Sequence, residues 1–110
     1  MPIETKQLEA GLMAVTISGR LVVGRETERL EAVVGDLIKQ NQIRIVFDMS
    51  ALDYADSAGI GSIVSCLTHV KKAGGDLRIA GANPRILRLF KLTGVDSLMA
   101  LYPSVQEASA

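Results

Sequence analysis

The sequence predicts an α/β fold: a mixed, mostly parallel sheet that starts with an antiparallel hairpin and carries packed helices. Three observations predict it. Near the start, two strand-like stretches face each other across Ala10-Gly11. Residues 30–38 and 57–73 then repeat apolar side chains at helical spacing, and the short apolar runs 43–47 and 77–80 follow them. Strand, helix and strand in succession call for a crossover connection, and crossovers make parallel neighbours.

In order, a polar strand from about Ile3 to Glu9 turns at Ala10-Gly11 into the apolar strand 12–17, which Gly19 ends. Leu30, Val33, Val34, Leu37 and Ile38 fall at i, i+3, i+4, i+7 and i+8, with Glu26, Glu28, Arg29, Glu31 and Asp36 on the other faces, so this segment is an amphipathic helix. After Lys39-Gln40-Asn41-Gln42, the run Ile43-Arg44-Ile45-Val46-Phe47 suits the middle of a parallel sheet. Residues 48–56 read as a loop. Ile60, Ile63, Val64, Leu67 and Val70 then form the stripe of a second helix, stopped at Gly74-Gly75. A strand at 77–80 leads to Asn83, a cap for a helix that begins at Pro84 and closes at Gly94. Residues 99–102 read as a last strand, and Ser104 with Glu107 has the capping-box spacing of a short final helix. The order is ββαβαβαβα.

The chain of 110 residues is 48% hydrophobic, which fits one domain spanning residues 1–110. Twelve Lys and Arg balance twelve Asp and Glu, so there is no clustered positive charge for nucleic acid or an anionic membrane. One cysteine and one histidine, Cys66 and His69, cannot assemble a structural zinc site. The opening Met-Pro-Ile-Glu-Thr-Lys has no apolar leader core, and no apolar run approaches the roughly 18 residues of a membrane span. A cytoplasmic location with no bound metal or cofactor is the expectation.

In α/β folds sites gather where strands end and helices begin, which directs attention to 50–57 and then to 81–84. Asp53-Tyr54-Ala55-Asp56-Ser57-Ala58-Gly59-Ile60-Gly61 sets a serine among carboxylates and glycines at a helix start. Ser57 fits an N-cap, which would need no further purpose. As a hydrolytic nucleophile it lacks a base, because His69 lies twelve residues along the same helix, about 18 Å away. Neither a Walker lysine nor a third glycine for a dinucleotide fingerprint is present. As a phosphoacceptor, Ser57 would gain about 1.5 to 2 negative charges beside Asp53 and Asp56, partly offset by the helix amides.

A helical wheel sets Ala58, Gly61, Ser62, Ser65 and His69 together, opposite the apolar stripe. Such small side chains would let a partner's backbone pack closely, though an unselected surface explains them as well. Arg85, Arg88 and Lys91 read as a solvated basic face that could also meet an acidic surface. Tyr54 and Met49 read as core lining, and Cys66 as an inert, semi-buried thiol.

The chain resembles the STAS domain family of anti-sigma factor antagonists and sulphate-transporter domains. The resemblance runs through Gly19-Arg20-Leu21, Ile45-Val46-Phe47-Asp48-Met49-Ser50, Asp56-Ser57-Ala58-Gly59-Ile60-Gly61, Pro84-Arg85-Ile86-Leu87-Arg88-Leu89-Phe90 and Leu92-Thr93-Gly94-Val95, in that order along nearly the whole chain. It implies an antagonist that binds an anti-sigma factor, typically a histidine-kinase-like serine kinase. That kinase would phosphorylate Ser57 and so break the complex, and a serine phosphatase would restore it. ATP would be the kinase's cofactor, not this chain's. The partner surface so implied comprises Asp56, Ser57, Ala58, Gly61, Ser62 and Ser65. Val22 stands where many family members carry an acidic residue, with Glu26 the nearby carboxylate. That departure keeps open an unmodified scaffold or a lipid-transporter-associated subunit; a small nucleotide-binding protein is the alternative of a different class.

Overall fold

In the computed structural model, which describes residues 3–109, a five-stranded sheet has the order β1-β2-β4-β6-β7. Met1 and Pro2, where the expected leader-free start begins, and Ala110 lie outside the described residues. Strands β1 (Ile3–Glu9) and β2 (Leu12–Ile17) form the expected hairpin, antiparallel from Ile3 opposite Ile17, with an irregularity between Gln7 and Glu9. Parallel pairing then joins β2 to β4 (Arg44–Asp48), β4 to β6 (Asp76–Ala80), and β6 to the two-residue β7 (Leu101–Tyr102).

Helices α1 (Arg25–Lys39), α2 (Ser57–Lys72) and α3 (Pro84–Thr93) share one core with the sheet, while the short α4 (Val105–Ala108) packs against the opposite face. This division explains the unbroken apolar run in β4. Ile45 and Phe47 join the large core, and Val46 between them meets Leu12, Ala80 and Ala108 on the other side. Asn83 caps α3 by accepting the Ile86 N–H at 2.9 Å, Pro84 occupies its first turn, and Gly94 ends it in the left-handed conformation, as the sequence indicated. Ser104 likewise accepts the Glu107 N–H, at 3.2 Å.

Two expectations are corrected. The second strand does end before Gly19, but Gly19–Leu21 forms a further strand, β3, which pairs in parallel with β5 (Leu52–Ala55), inside the segment that read as loop. Both strands are too short, and alternate too little, for periodicity to reveal them. The last strand is also shorter than 99–102, because 95–97 forms a 3-10 turn that puts Met99 into the core. The β3–β5 pair carries the chain from the sheet to the N-terminus of α2.

Candidate functional site

The site is the junction of β5 and α2. Asp56, not Ser57, is the N-cap: it is extended (φ −96°, ψ −175°), and its Oδ1 accepts the Gly59 N–H at 2.8 Å. Its Oδ2 accepts the Val23 N–H at 3.1 Å, fastening the turn between β3 and α1 to the start of α2. The Asp56 N–H in turn donates to Leu21 O at 3.3 Å. These donors, Val23 first and Gly59 second, hold the Asp56 carboxyl below the usual carboxylate range. Gly59 answers the same geometry from the other side, since a Cβ there would collide with the carbonyl oxygen of Leu21. Within Asp56-Ser57-Ala58-Gly59, the first residue caps and the last permits α2 to rest on β3.

Capping by Asp56 frees Ser57. Ser57 is the first helical residue and exposed, and no hydrogen bond uses its hydroxyl among the described residues. Ala58 is half-buried and Gly61 exposed. Nothing stands within 4 Å of where a Cβ of Gly61 would be, so packing within this chain does not demand a glycine there. Val23 is 72% and Tyr54 41% exposed, so two large apolar side chains stand on the surface near the charged groups Asp56 and Arg20. Tyr54 therefore does not line the core: its ring lies under the Arg20 guanidinium, 4.9 Å from centroid to Cζ, whereas Met49 is fully buried as expected. Tyr54, Ser57 and Ile60 face Arg85, Ile86 and Leu89 of α3 across an open groove.

The packing of α1 on α2 removes Ser62 from the outward face drawn on the helical wheel and half-covers Ser65. Ser62 is only 4% exposed, and its hydroxyl lies 3.2 Å from both Thr27 O and Glu31 Oε2, within reach of either acceptor. Ser65 is half-buried and donates to Glu31 Oε1 at 3.1 Å. Glu31, four residues after Thr27 on α1, thus gathers the small hydroxyls that a wheel of α2 alone assigns to solvent. His69 is exposed in the last turn of α2, distant from Ser57. Cys66 is buried rather than semi-buried at 1% exposure, and burial, with Glu31 second, pushes its thiol up to about 12. Among the described residues no three His, Cys, Asp or Glu gather to hold a metal ion, and no helix is long and apolar enough to cross a membrane.

Sequence reasoning missed three members of this site. Val23 enters through its backbone, which no side-chain pattern announces; Arg85 reaches the groove from a different helix; Glu31 acts on α2 from α1. Asp56 as cap was open to inference, because Asp ranks with Ser at that position and precedes Gly59 by the three residues a cap needs.

Comparisons with known proteins agree with this geometry. A protein-family model described as the STAS domain matches residues 3–108. The anti-sigma-B factor antagonist of Bacillus subtilis is 30% identical over 97 residues, covering 88% of this chain and 86% of that protein. The structure of an anti-sigma-factor antagonist (STAS) domain protein from Planctomyces limnophilus superposes with a TM-score of 0.82 at 19% identity, covering 96% of this chain and 93% of that one. The phosphorylated form of the Bacillus cell fate determinant SpoIIAA superposes with a TM-score of 0.76 at 18% identity, covering 96% and 95%.

Proposed function

The chain belongs to the STAS domain family, and from that premise we propose that it is an anti-sigma factor antagonist switched off by phosphorylation of Ser57. The partner is an anti-sigma factor of the serine-kinase type in the bacterial cytoplasm. Capture of that factor frees a sigma factor for transcription, and a serine phosphatase resets the switch. The name of the Bacillus subtilis relative supports the antagonist role. The single observation that carries the switch is the exposed Ser57 hydroxyl, unengaged beside the open surface of Gly61.

The chemistry follows from that placement. Ser57 Oγ attacks the γ-phosphorus of the kinase's ATP; the new O–P bond replaces the bond to the oxygen of the departing ADP, and the hydroxyl proton leaves to the kinase's base. The phosphoserine then sits next to Asp56, whose carboxylate already engages the nearest helix amide. One helix amide is thus already taken, and the new dianion lies at the groove that α3 borders. A partner packed on Ala58 and Gly61 meets a bulky, strongly solvated phosphate at the contact, and desolvating it costs several kcal/mol. Asp56, Ala58 and Gly61 make up the partner surface with Ser57. Ser65 borders it, and Ser62 is left out because α1 covers it.

A second reading, an unmodified scaffold or transporter-associated subunit, is favoured by Val22, a half-buried apolar residue where the family resemblance implies an acidic one. One experiment separates the two. Wild type and Ser57→Ala are incubated with the cognate kinase and ATP, followed by intact mass and complex affinity. The switch predicts one added phosphate in wild type only, with loss of binding. Phosphate on another residue, or a phosphorylated Ser57 that binds as before, favours the scaffold.

A further inference from the structure

We propose that Arg85 is the internal cation that receives the phosphate of phosphorylated Ser57, holding it over the groove between α2 and α3. The inference rests on Ser57 being the phosphoacceptor and adds what the chain itself does with the product. Arg85 is the only cation among the residues that line the groove holding Ser57, facing Asp56 and Tyr54 from the first turn of α3. It also lines the adjoining hollow with Asp53, Asn83 and Pro84.

The electrostatics of its own helix do not account for a cation there. The first turn of a helix presents the positive end of the macrodipole, which disfavours arginine. Arg85 is exposed and joins no ion pair among the described residues, where the two side-chain ion pairs both involve Asp76. By contrast Arg88, one turn further along the same helix, does not line the groove. A guanidinium presents parallel N–H donors that match two phosphate oxygens, and Ile60, Ile86 and Leu89 form the apolar floor between the two walls. Ser57 and Arg85 therefore stand on opposite walls of one groove, with Asp56 in the same lining, so that a phosphate on Ser57 adds its charge opposite the one guanidinium there.

The charged and titratable groups around such a phosphate are Asp56 at the α2 cap, Asp53 and Tyr54 on β5, Arg20 on β3 over the Tyr54 ring, and Arg85 on α3. The carboxylates oppose the second ionisation of the phosphate and the guanidinium favours it. Its midpoint, about 6 in an isolated phosphoserine, thus reports whether Arg85 is engaged.

The test places phosphoserine at position 57 during translation, so that it does not depend on any kinase. Phosphorus NMR then follows the phosphate midpoint against pH in the otherwise wild-type chain and with Arg85→Ala, Arg85→Lys, Arg88→Ala or Arg20→Ala added. Arg85→Ala should raise the midpoint by about half a pH unit or more, roughly a threefold change in proton affinity; Arg85→Lys should raise it less, and Arg88→Ala should not move it. Equal midpoints in the parent and Arg85→Ala, or a shift caused by Arg20→Ala instead, overturn the proposal. Failure of the kinase to modify Ser57 in the separate ATP experiment would strike the underlying reading and leave this measurement intact.

Discussion

The Asp56 Oδ2 atom accepts the Val23 N–H at 3.1 Å, joining two turns that are 33 residues apart in the chain. Its other oxygen accepts the Gly59 N–H at 2.8 Å, so one side chain both starts α2 and fastens the approach to α1 against it. Charge strengthens both bonds, since an ionised acceptor holds an N–H more tightly than a neutral one.

Acid should therefore loosen this junction. The Val23 hydrogen bond, then that of Gly59, keeps the folded Asp56 carboxyl below its ordinary value of 3.8. A depressed folded value means that the stabilisation is fully present above the unfolded value and is lost as pH falls through the folded one. Asp56→Asn should melt below wild type at pH 7, and the gap should narrow as both are measured from about pH 5 downward. Thermal melts at several pH values check this, and a gap independent of pH would assign the loss to amide geometry instead of charge.

Ser62 yields a prediction about packing. Its hydroxyl serves Thr27 O and Glu31 in a nearly sealed α1–α2 contact. Ser62→Ala should cost about 1 kcal/mol, the typical net value of a buried hydrogen bond. Ser62→Arg forces a guanidinium between two helices and should cost about 3 kcal/mol or more, or prevent folding. Urea denaturation of both variants, with Glu31→Ala as the coupled partner in a double-mutant cycle, measures it. An Arg variant as stable as wild type would return Ser62 to the surface.

How much of this was legible in the sequence depends on the range of the forces involved. The hairpin, the three long helices and the caps Asn83 and Ser104 were readable because each rests on periodicity or on a contact three residues away. The β3–β5 pair was not, since two strands of three and four residues are defined by each other and not by their own pattern. The site divides the same way. Asp53 to Gly61 announced itself by composition, whereas the burial of Ser62 depends on Glu31, and the groove at Ser57 depends on Arg85, both from helices packed alongside.

Cys66 should be chemically silent in the folded state. Burial, with the charge of Glu31 second, pushes its thiol up to about 12, leaving about one thiolate in ten thousand at pH 8. Ellman's reagent at pH 8 should leave the native protein unmodified over the time in which the denatured chain reacts fully. Rapid modification without denaturant would mean that α1 and α2 separate readily near Cys66.

The glycines of α2 separate folding from recognition. Gly59 faces the carbonyl of Leu21 with no room for a methyl group, so Gly59→Ala must push α2 off β3, at a cost of about 1–3 kcal/mol. Gly61, two residues on, is exposed with open space where its Cβ would be, and in a helix interior glycine costs about 1 kcal/mol relative to alanine. Gly61→Ala should consequently raise stability by about that amount, a gain of some 4–8 °C in Tm for a domain near this size. A glycine with open space over it leaves room for a close-packed backbone from outside the chain. On the proposed function that is the backbone of the anti-sigma partner, and the added methyl group should then weaken the complex at least tenfold, about 1.4 kcal/mol, while the protein itself melts higher. Calorimetric melting and titration against the purified partner measure the two effects on the same sample. A stabilised Gly61→Ala that binds as tightly as wild type would remove Gly61 from the interface and leave Ser57 and Ala58 to define it.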